Sequence, residues 1–247
     1  MHEQTDPKID LNKVKDRYNK ITSIWDTNDR WHVYTTKFIK SFLHSIFNNF
    51  KTEKKLKILN AGSGGNNYDI IDHEQFHIDI AESKLRGIPN SMISNIEKID
   101  LEGNQFDSCI CVGSVINYCD AIRAIQELFR LLKPGGLLIL EFENSRSLEY
   151  LFSSTFNRNV AFVKTFYQSS TEEIWIYSEN YILEILQVNG FTIMEKKRFH
   201  LLSPFIYFIC KSPNIASIFV VLDPFIEILP FIGACSSNVI LSCVKKV

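Results

Sequence analysis

The sequence predicts an α/β protein with a doubly wound, seven-stranded and mostly parallel sheet that has an antiparallel edge strand. Three observations predict this fold. Short apolar segments of strand length alternate with amphipathic segments of helix length across the middle of the chain. The segment 107–113 is a continuous apolar run, which is typical of a parallel strand that is buried on both faces. A glycine-rich turn follows the first predicted strand, as in many nucleotide-binding folds.

The predicted strands are short and are separated by recognisable helix and turn signals. They cover residues 57–60, 75–80, 90–94, 107–113, 137–142, 191–199 and 238–244. Helical periodicity extends over residues 8–50, with a second helix at 34–50, and over 120–132 and 178–189. We expect helical caps at the N-terminus and at 201–230, an insertion at 144–177, and an antiparallel pairing of the last two strands.

Composition narrows the classes of function. Of the 247 residues, 45% are hydrophobic and 22% are charged, values that are ordinary for a globular protein with a sizeable core. The formal net charge is −1, whereas nucleic-acid binding usually requires a basic excess, so nucleic acid is disfavoured as a partner. The six cysteines form no C-x-x-C pair and no zinc-like cluster with histidine, so no metal site is expected.

The sequence predicts neither a signal peptide nor a membrane-spanning helix. The first 16 residues are polar and charged, unlike a signal peptide. The apolar stretch 215–235 contains Asp223, Glu227 and two prolines, which make a membrane-spanning helix costly. We therefore expect no transmembrane segment and a cytoplasmic protein with reduced cysteines. A buried cap is favoured for this stretch, and a surface that touches a lipid-like substrate stays open as the alternative.

Two features point to the binding of a nucleoside-containing ligand. The turn after the first strand contains Gly62, Gly64 and Gly65, and glycine lets a backbone approach a ligand closely. Asp79 ends the second strand, where an acidic residue can accept hydrogen bonds from both ribose hydroxyls. Each feature has a purely structural alternative, a tight strand-to-helix bend for the glycines and a helix N-cap for Asp79.

Taken in order, these motifs resemble the class I S-adenosylmethionine-dependent methyltransferases, in particular the type 11-like group. The resemblance covers residues 57–143 closely and residues 175–247 more loosely. Its motifs are Leu59-Asn60-Ala61-Gly62-Ser63-Gly64-Gly65, Asp79, Asn95-Ile96-Glu97, Gln105-Phe106-Asp107 and Leu131-Leu132-Lys133-Pro134-Gly135-Gly136 before the strand LLILEF. Each motif is weak alone, and their order and spacing carry the resemblance.

The resemblance implies S-adenosylmethionine as the cofactor and assigns it a set of contacts. Gly62 and Gly64 would pack against the methionine part, Asp79 would hold the ribose, and Asn95 with Ile96 would bind the adenine. Gly113 and Ser114 would line the sulfonium. The full set implied for the cofactor is Asn60, Ala61, Gly62, Ser63, Gly64, Asp79, Ile80, Asn95, Ile96, Val112, Gly113 and Ser114.

The resemblance also implies one methyltransferase domain over residues 1–247. Its parts would be an N-terminal helical lid at 1–50, a cofactor-binding half at 51–143, and a substrate-side half with insertion and cap at 144–247. The sequence departs from the family where Asn60 replaces an acidic residue, Asn66 replaces a third glycine and Asn95 replaces an aspartate. The connection from Gly65 to the second strand is also short, so the first helix is expected to be reduced.

Rival cofactors fit less well. The turn does not reach the G-x-G-x-x-G pattern of dinucleotide-binding folds, and the chain contains no G-x-x-x-x-G-K-[ST] phosphate-binding loop. The reaction that the resemblance implies is methyl transfer, and we expect an O or N atom of a small, apolar or aromatic acceptor to receive the methyl group. A methyltransferase that acts on RNA or protein, and a non-catalytic cofactor-binding module, remain the alternatives. The sequence does not decide between a monomer and a homodimer.

A general base is needed only where the acceptor must lose a proton. Glu143, Tyr118, His200 and His32 are the candidates near the expected site. Glu143 follows the fifth strand at the ligand-binding edge, and its alternative role is a helix cap or a surface salt bridge. For His200 and His32 the alternative is packing or exposure to solvent. Aromatic residues in the lid and the insertion, among them Trp25 and Trp175, suggest an apolar acceptor pocket.

Overall fold

The protein folds around a seven-stranded sheet with the predicted doubly wound topology. The computed structural model describes residues 8–24, 30–49, 54–167, 170–210, 212–223 and 230–246. The sheet order is β3-β2-β1-β4-β5-β9-β8. Its strands are β1 (Lys57–Ala61), β2 (Glu74–Asp79), β3 (Ser91–Ile93), β4 (Phe106–Cys111), β5 (Leu132–Glu143), β8 (Phe191–Phe199) and β9 (Asn238–Lys245).

Strand directions agree with the predicted, mostly parallel arrangement. The strands from β3 to β5 pair in parallel, whereas β9 pairs antiparallel with both β5 and β8. The last two strands thus form the expected antiparallel pair, and β9 is the reversed strand, with β8 at the edge. The ends of β1, β2, β4 and β5 consequently meet at one edge of the sheet, and β9 begins at that edge.

Helices cover both faces of the sheet and the edge where the parallel strands end. They are α1 (Leu11–Lys20), α2 (Arg30–Asn49), α3 (Glu82–Leu85), α4 (Ala121–Leu131), α5 (Glu179–Val188), α6 (Leu202–Cys210), α7 (Pro213–Phe219) and α8 (Pro230–Gly233). The apolar stripe of α2, with Phe42 and Leu43 at its centre, packs against sheet residues such as Ile139. Residues of α4 and α5, including Leu128 and Ile182, pack on the opposite face.

Two boundaries differ from the sequence prediction. Helix α2 begins at Arg30 rather than at residue 34, and Trp25 lies outside the described residues. Strand β5 begins at Leu132 rather than at residue 137, because Leu132 pairs with Phe106 before the strand continues. The chain between β1 and β2 forms turns, in agreement with the expected reduction of the first helix.

The insertion contains a hairpin that the sequence prediction missed. Strands β6 (Val160–Tyr167) and β7 (Ser170–Tyr177) pair antiparallel as a separate two-stranded sheet. Ile174 and Ile176 are buried in a small cluster that includes Tyr118 and Tyr150. The hairpin therefore packs beside the edge at which the parallel strands end.

The C-terminal cap is helical, as predicted. It comprises α6, α7 and a short 3-10 turn at Val220–Leu222. Several of its apolar side chains are exposed, including Ile209 (62%), Ile218 (55%) and Val221 (66%). The alternative of a surface for a lipid-like substrate therefore stays open. Within the described ranges, no helix has both the length and the apolar character needed to cross a membrane.

Candidate functional site

A cavity lies at the edge of the sheet where β1, β2 and β4 end. Its walls are formed by the turns that follow these strands and by one face of α1. This edge is where doubly wound folds bind their ligands. Eight of the residues that the resemblance assigned to the cofactor line this cavity: Gly62, Ser63, Asp79, Ile80, Asn95, Ile96, Val112 and Gly113.

The turn after β1 forms the floor of the cavity and requires glycine. Gly62 has a φ of +69°, and its N–H donates to the Ile78 carbonyl oxygen over 2.7 Å. A Cβ atom on Gly62 would lie only 2.4 Å from Cγ1 of Val115, which itself lines the cavity. Any side chain at Gly62 would therefore strain the backbone and collide with the wall of the cavity.

Asp79 joins the glycine turn to the end of β2. Its Oδ2 accepts a hydrogen bond from the Gly64 N–H and its Oδ1 accepts one from the Ala81 N–H, both over 2.8 Å. Burial raises the pKa of Asp79, against these two hydrogen bonds, which lower it. The residue preceding α3 is Ala81, so Asp79 is not the N-cap of that helix. Each carboxylate oxygen can accept a further hydrogen bond, which leaves capacity for two ribose hydroxyls.

Asn95 and Ile96 form the wall of the cavity beyond β3. The Asn95 Oδ1 accepts a hydrogen bond from the Glu97 N–H over 3.0 Å, which fixes the orientation of the side-chain amide. Because a carbonyl oxygen has two lone pairs, the same oxygen can still accept from an exocyclic amine. Ile96 is buried and offers an apolar surface next to this amide.

The turn after β4 lines the cavity through Gly113. Gly113 and Ser114 both have positive φ, of +84° and +58°. Their N–H groups donate to Oε2 of Glu141 over 2.8 Å and 2.6 Å. Glu141 is 1% exposed, and its Oε1 accepts a hydrogen bond from Nδ2 of Asn238 over 2.7 Å. The sequence prediction missed Glu141 because it stands inside an apolar strand.

Helix α1 covers the cavity. Leu11, Val14 and Tyr18 line it and recur at the spacing of one helical face. The Tyr18 hydroxyl lies 3.3 Å from the Tyr118 hydroxyl, and Tyr118 also lines the cavity. Burial raises the pKa of Tyr118 well above its ordinary range, so its hydroxyl stays protonated. Tyr118 is therefore placed as a hydrogen-bond donor rather than as a base.

Two further contacts fix α1 in this position. Arg17 forms an ion pair with Glu172 of β7, and the Tyr118 hydroxyl donates to the same carboxylate. On the other side, the Ser83 N–H donates to Oδ1 of Asn19 over 3.0 Å, which ties α1 to the start of α3. The helix is thus held between the hairpin and the nucleotide-binding half. No sequence signal identified Glu172, because the pairing of the insertion was not predicted.

Glu143, the last residue of β5, contacts the side chain of Ser114. It does not itself line the cavity. The Asn117 Oδ1 accepts from the Glu143 N–H over 3.0 Å, which fixes the backbone. Burial, with the nearby charges of Glu149 and Glu141, raises the pKa of Glu143 to about 8, although a hydrogen bond from the Ser114 side chain lowers it. A carboxyl that ionises near this pH can exchange a proton under physiological conditions.

His200 does not take part in the cavity, contrary to the sequence hypothesis. It is 1% exposed, its Nε2 lies 2.7 Å from the Thr35 hydroxyl, and its Nδ1 lies 3.3 Å from the Ser203 hydroxyl. Trp31 stacks on the ring at a centroid distance of 4.4 Å. This enclosure gives His200 a packing role that joins α2 to the C-terminal cap. His32 is also absent from the cavity lining.

Four of the residues assigned to the cofactor support the cavity from behind. Asn60 is 1% exposed, and its Nδ2 donates to the Asn66 carbonyl oxygen over 2.7 Å. Asn60 therefore shapes the glycine turn rather than facing a ligand. Ala61 is buried in β1, Gly64 donates to Asp79, and Ser114 donates to Glu141. In the part of the chain that the structure describes, no group of three His, Cys, Asp or Glu residues is placed to hold a metal ion.

Comparison with known proteins adds independent information to this geometry. A family model described as a methyltransferase domain matches residues 57–140, which contain the glycine turn, Asp79 and Asn95. Residues 57–140 thus match the methyltransferase-domain family. The matched segment includes all of the predicted cofactor motifs from β1 to β5.

Curated relatives match over a wider range at low identity. An uncharacterized protein of Methanocaldococcus jannaschii is 22% identical over 160 residues, which are 61% of this chain and 60% of that protein. A demethylmenaquinone methyltransferase of Leptospira interrogans is 25% identical over 146 residues, which are 51% of this chain and 58% of that protein. The chain thus spans less than two thirds of the length of these relatives.

A solved structure supports the fold of the methyltransferase domain. The 1,6-didemethyltoxoflavin-N1-methyltransferase of Burkholderia thailandensis, determined with its substrate and S-adenosylhomocysteine, superposes with a TM-score of 0.54. The superposition covers 96% of this chain and 90% of that one, at 13% sequence identity. Likeness at this identity shows the fold alone.

Proposed function

We propose that the chain binds S-adenosylmethionine in the cavity at the edge of the sheet and transfers its methyl group to an O or N atom of a small, apolar or aromatic acceptor. One observation carries this proposal. The glycine turn, Asp79, Asn95 and the turn at Gly113 line a single cavity, and these are the residues that the resemblance assigns to the methionine, ribose, adenine and sulfonium parts of the cofactor. Bound there, S-adenosylmethionine supplies an electrophilic methyl group whose leaving group needs no acid.

The protein's task in such a reaction is alignment and the exclusion of water. Helix α1 serves both tasks, because its apolar face covers the cavity and Tyr18 closes the end next to Tyr118. The two hydroxyl groups are donors and acceptors in an otherwise largely apolar lining. An acceptor with an aromatic body and one polar group suits this end of the cavity, since apolar walls with few polar groups are typical of small-molecule sites.

Glu143 is the proposed base where the acceptor has to lose a proton. A base acts in its ionised form, and the pKa of about 8 leaves most of Glu143 protonated below that pH. We therefore expect turnover to rise as the pH increases from 6 through about 8, where half of Glu143 is ionised, and to level off above about pH 9. Glu143→Gln should remove this rise and slow turnover about 100-fold while leaving cofactor affinity within about twofold. Turnover and pH profile equal to those of the wild type would assign Glu143 a structural role.

Two observations favour functions other than the one proposed. One relative is named a demethylmenaquinone methyltransferase, which supports a quinone-type aromatic acceptor as the second candidate. A non-catalytic cofactor-binding module is the third, since Asn60 and Asn66 depart from the family pattern. An RNA or protein acceptor would need a basic groove beside the cavity, and a net charge of −1 gives little support for it.

The deciding experiment is calorimetric titration of the purified protein with S-adenosylmethionine and S-adenosylhomocysteine, with NAD as the control. Micromolar binding of the first two without binding of NAD supports the proposal. The protein is then incubated with labelled S-adenosylmethionine and a panel of phenols, amines and quinols. Absence of binding by either sulfur ligand would contradict the proposed function. Binding without transfer to any acceptor would favour the binding module.

We also propose a cytoplasmic location and assembly as a homodimer. The proposed location is supported by the six cysteines, which are all free. Size-exclusion chromatography with light scattering tests the homodimer directly. A mass close to 28.6 kDa would indicate a monomer.

A further inference from the structure

Glu141 is a buried carboxylate with no cationic partner among the described residues. It is 1% exposed and lies on β5 between β4 and β9, at the centre of the sheet. Its three hydrogen bonds come from the N–H groups of Gly113 and Ser114 and from Nδ2 of Asn238. Burying an unpaired charge is costly, so a sheet interior that retains one needs a specific reason.

Part of that reason is the conformation of the turn after β4. A left-handed conformation at Ser114, with φ of +58°, is unfavourable for a residue other than glycine. Two successive N–H groups directed at one oxygen form an anion-binding concavity, and Glu141 supplies the anion. The carboxylate thus fixes the part of the cavity wall that contains Gly113.

The neighbouring carboxyl group, that of Glu143, has a different protonation state. Glu143 lies two residues further along β5 and therefore points to the same face of the strand. With a pKa of about 8, Glu143 is mostly neutral at pH 7. Burial raises the pKa of Glu141 as well, but three N–H donors lower it by stabilising the ionised form. All three groups that contact the Glu141 carboxylate are N–H donors, and this geometry suits the ionised form rather than the protonated one.

We propose that Glu141 positions the cofactor's sulfonium by holding the turn at Gly113 and Ser114 and by placing a negative charge behind it. The inference rests on the proposed function, because Gly113 lines the cavity and is expected to lie at the sulfonium, while Ser114 supports the same turn from behind. S-adenosylmethionine carries a positive charge on sulfur and S-adenosylhomocysteine does not. The charge of Glu141 therefore favours the substrate form of the cofactor over the product form. The sulfonium in turn supplies the positive counter-charge that Glu141 lacks among the described residues.

The test separates the charge of Glu141 from its hydrogen bonds. In Glu141→Gln, the side-chain oxygen still accepts from both N–H groups, and the amide of Asn238 can rotate to accept from the new NH₂ group. The variant Glu141→Gln/Asn238→Asp keeps this hydrogen-bond pattern. It restores a negative charge on the hydrogen-bond partner, which lies on the other side of residue 141 from the turn. Asp107→Asn removes a carboxylate that is paired with Lys133 and does not line the cavity, and it serves as the control.

Dissociation constants for S-adenosylmethionine and S-adenosylhomocysteine are measured by calorimetry for all four proteins. Because a buried charge acts through a low effective dielectric constant, Glu141→Gln should weaken binding of the cation about tenfold and of the neutral product less than about twofold. The double variant should recover part of this selectivity, and Asp107→Asn should retain all of it. If Glu141→Gln alone does not fold, the double variant is measured in its place, and loss of all selectivity in the double variant would overturn the inference.

The outcomes distinguish the inference from the proposed function. If the wild type binds neither ligand, the proposed function fails and the inference fails with it. If the wild type binds both and Glu141→Gln weakens both equally, or neither, the inference is overturned and the proposed function stands. Selectivity that falls in Glu141→Gln and returns in the double variant supports the role of the charge.

Discussion

The two sides of the cavity are built from different materials. On the cofactor side, the wall consists of main chain: the glycine turn at Gly62 and the turn at Gly113, fixed by the buried carboxylates of Asp79 and Glu141. On the opposite side, the wall consists of side chains from α1 and the 3-10 turn at Val115–Tyr118, backed by the β6–β7 hairpin. A wall made of main chain suits the cofactor, which stays the same whichever acceptor is used. A wall made of side chains can be changed by substitution, and so fitted to another acceptor, without altering the sheet.

The comparison predicts the largest effect at Gly62. In Gly62→Ala the new methyl group meets Val115 within 2.4 Å, and the φ of +69° adds about 1–2 kcal/mol of backbone strain. We expect a loss of cofactor affinity of at least ~100-fold, together with a lower unfolding temperature. Calorimetry and thermal unfolding measure the two effects.

A second substitution shows whether steric conflict is the cause. Val115→Ala removes the methyl groups that the new side chain meets, so Gly62→Ala/Val115→Ala should recover part of the affinity. The strain of the positive φ remains in the double variant, so recovery should be incomplete. Equal affinity in the single variant and the wild type would show that the glycine turn does not carry the cofactor.

The next largest effect is expected at Asp79, which bridges the glycine turn and the end of β2. Asp79→Ala removes charge-assisted hydrogen bonds and should cost about 1.5–3 kcal/mol of binding free energy. Asp69→Ala is the matched control, since Asp69 is exposed and pairs with Lys40 on the surface over 2.7 Å. Calorimetric titration with S-adenosylhomocysteine provides the measurement. Affinities that are the same for both variants would remove Asp79 from the ribose role.

The same contrast explains how much could be predicted from sequence. The cofactor half follows from local patterns, since a glycine turn, an acidic strand end and an apolar run are each read within a few residues. Eight predicted residues line the cavity for this reason. The antiparallel pairing of the last two strands was also predicted, and the structure confirms it.

The remainder of the site depends on contacts between distant residues. Glu141 accepts a hydrogen bond from Asn238, which lies 97 positions away in the sequence. Because Glu141 stands within an apolar run, its role becomes visible only in the folded sheet. His200 was selected by residue type, but Thr35, which is 165 positions away, encloses it. The hairpin was missed because β6 shows no clean alternation of polar and apolar residues. Such long-range pairs leave no periodic signal in a single sequence.

The smallest expected effect tests whether the side-chain wall acts as a lid. Glu172 of β7 pairs with Arg17 of α1, and these side chains are only 8% and 18% exposed. Its neighbour Glu173 pairs with Lys164 within the hairpin over 3.0 Å, and that lysine is 67% exposed. Glu172→Gln should loosen α1 and accelerate dissociation of S-adenosylhomocysteine about three- to tenfold, whereas Glu173→Gln should leave the rate unchanged. Stopped-flow displacement measures both rates. Equal rates in the two variants would mean that α1 does not gate the cavity, and that the side-chain wall is as rigid as the main-chain wall opposite it.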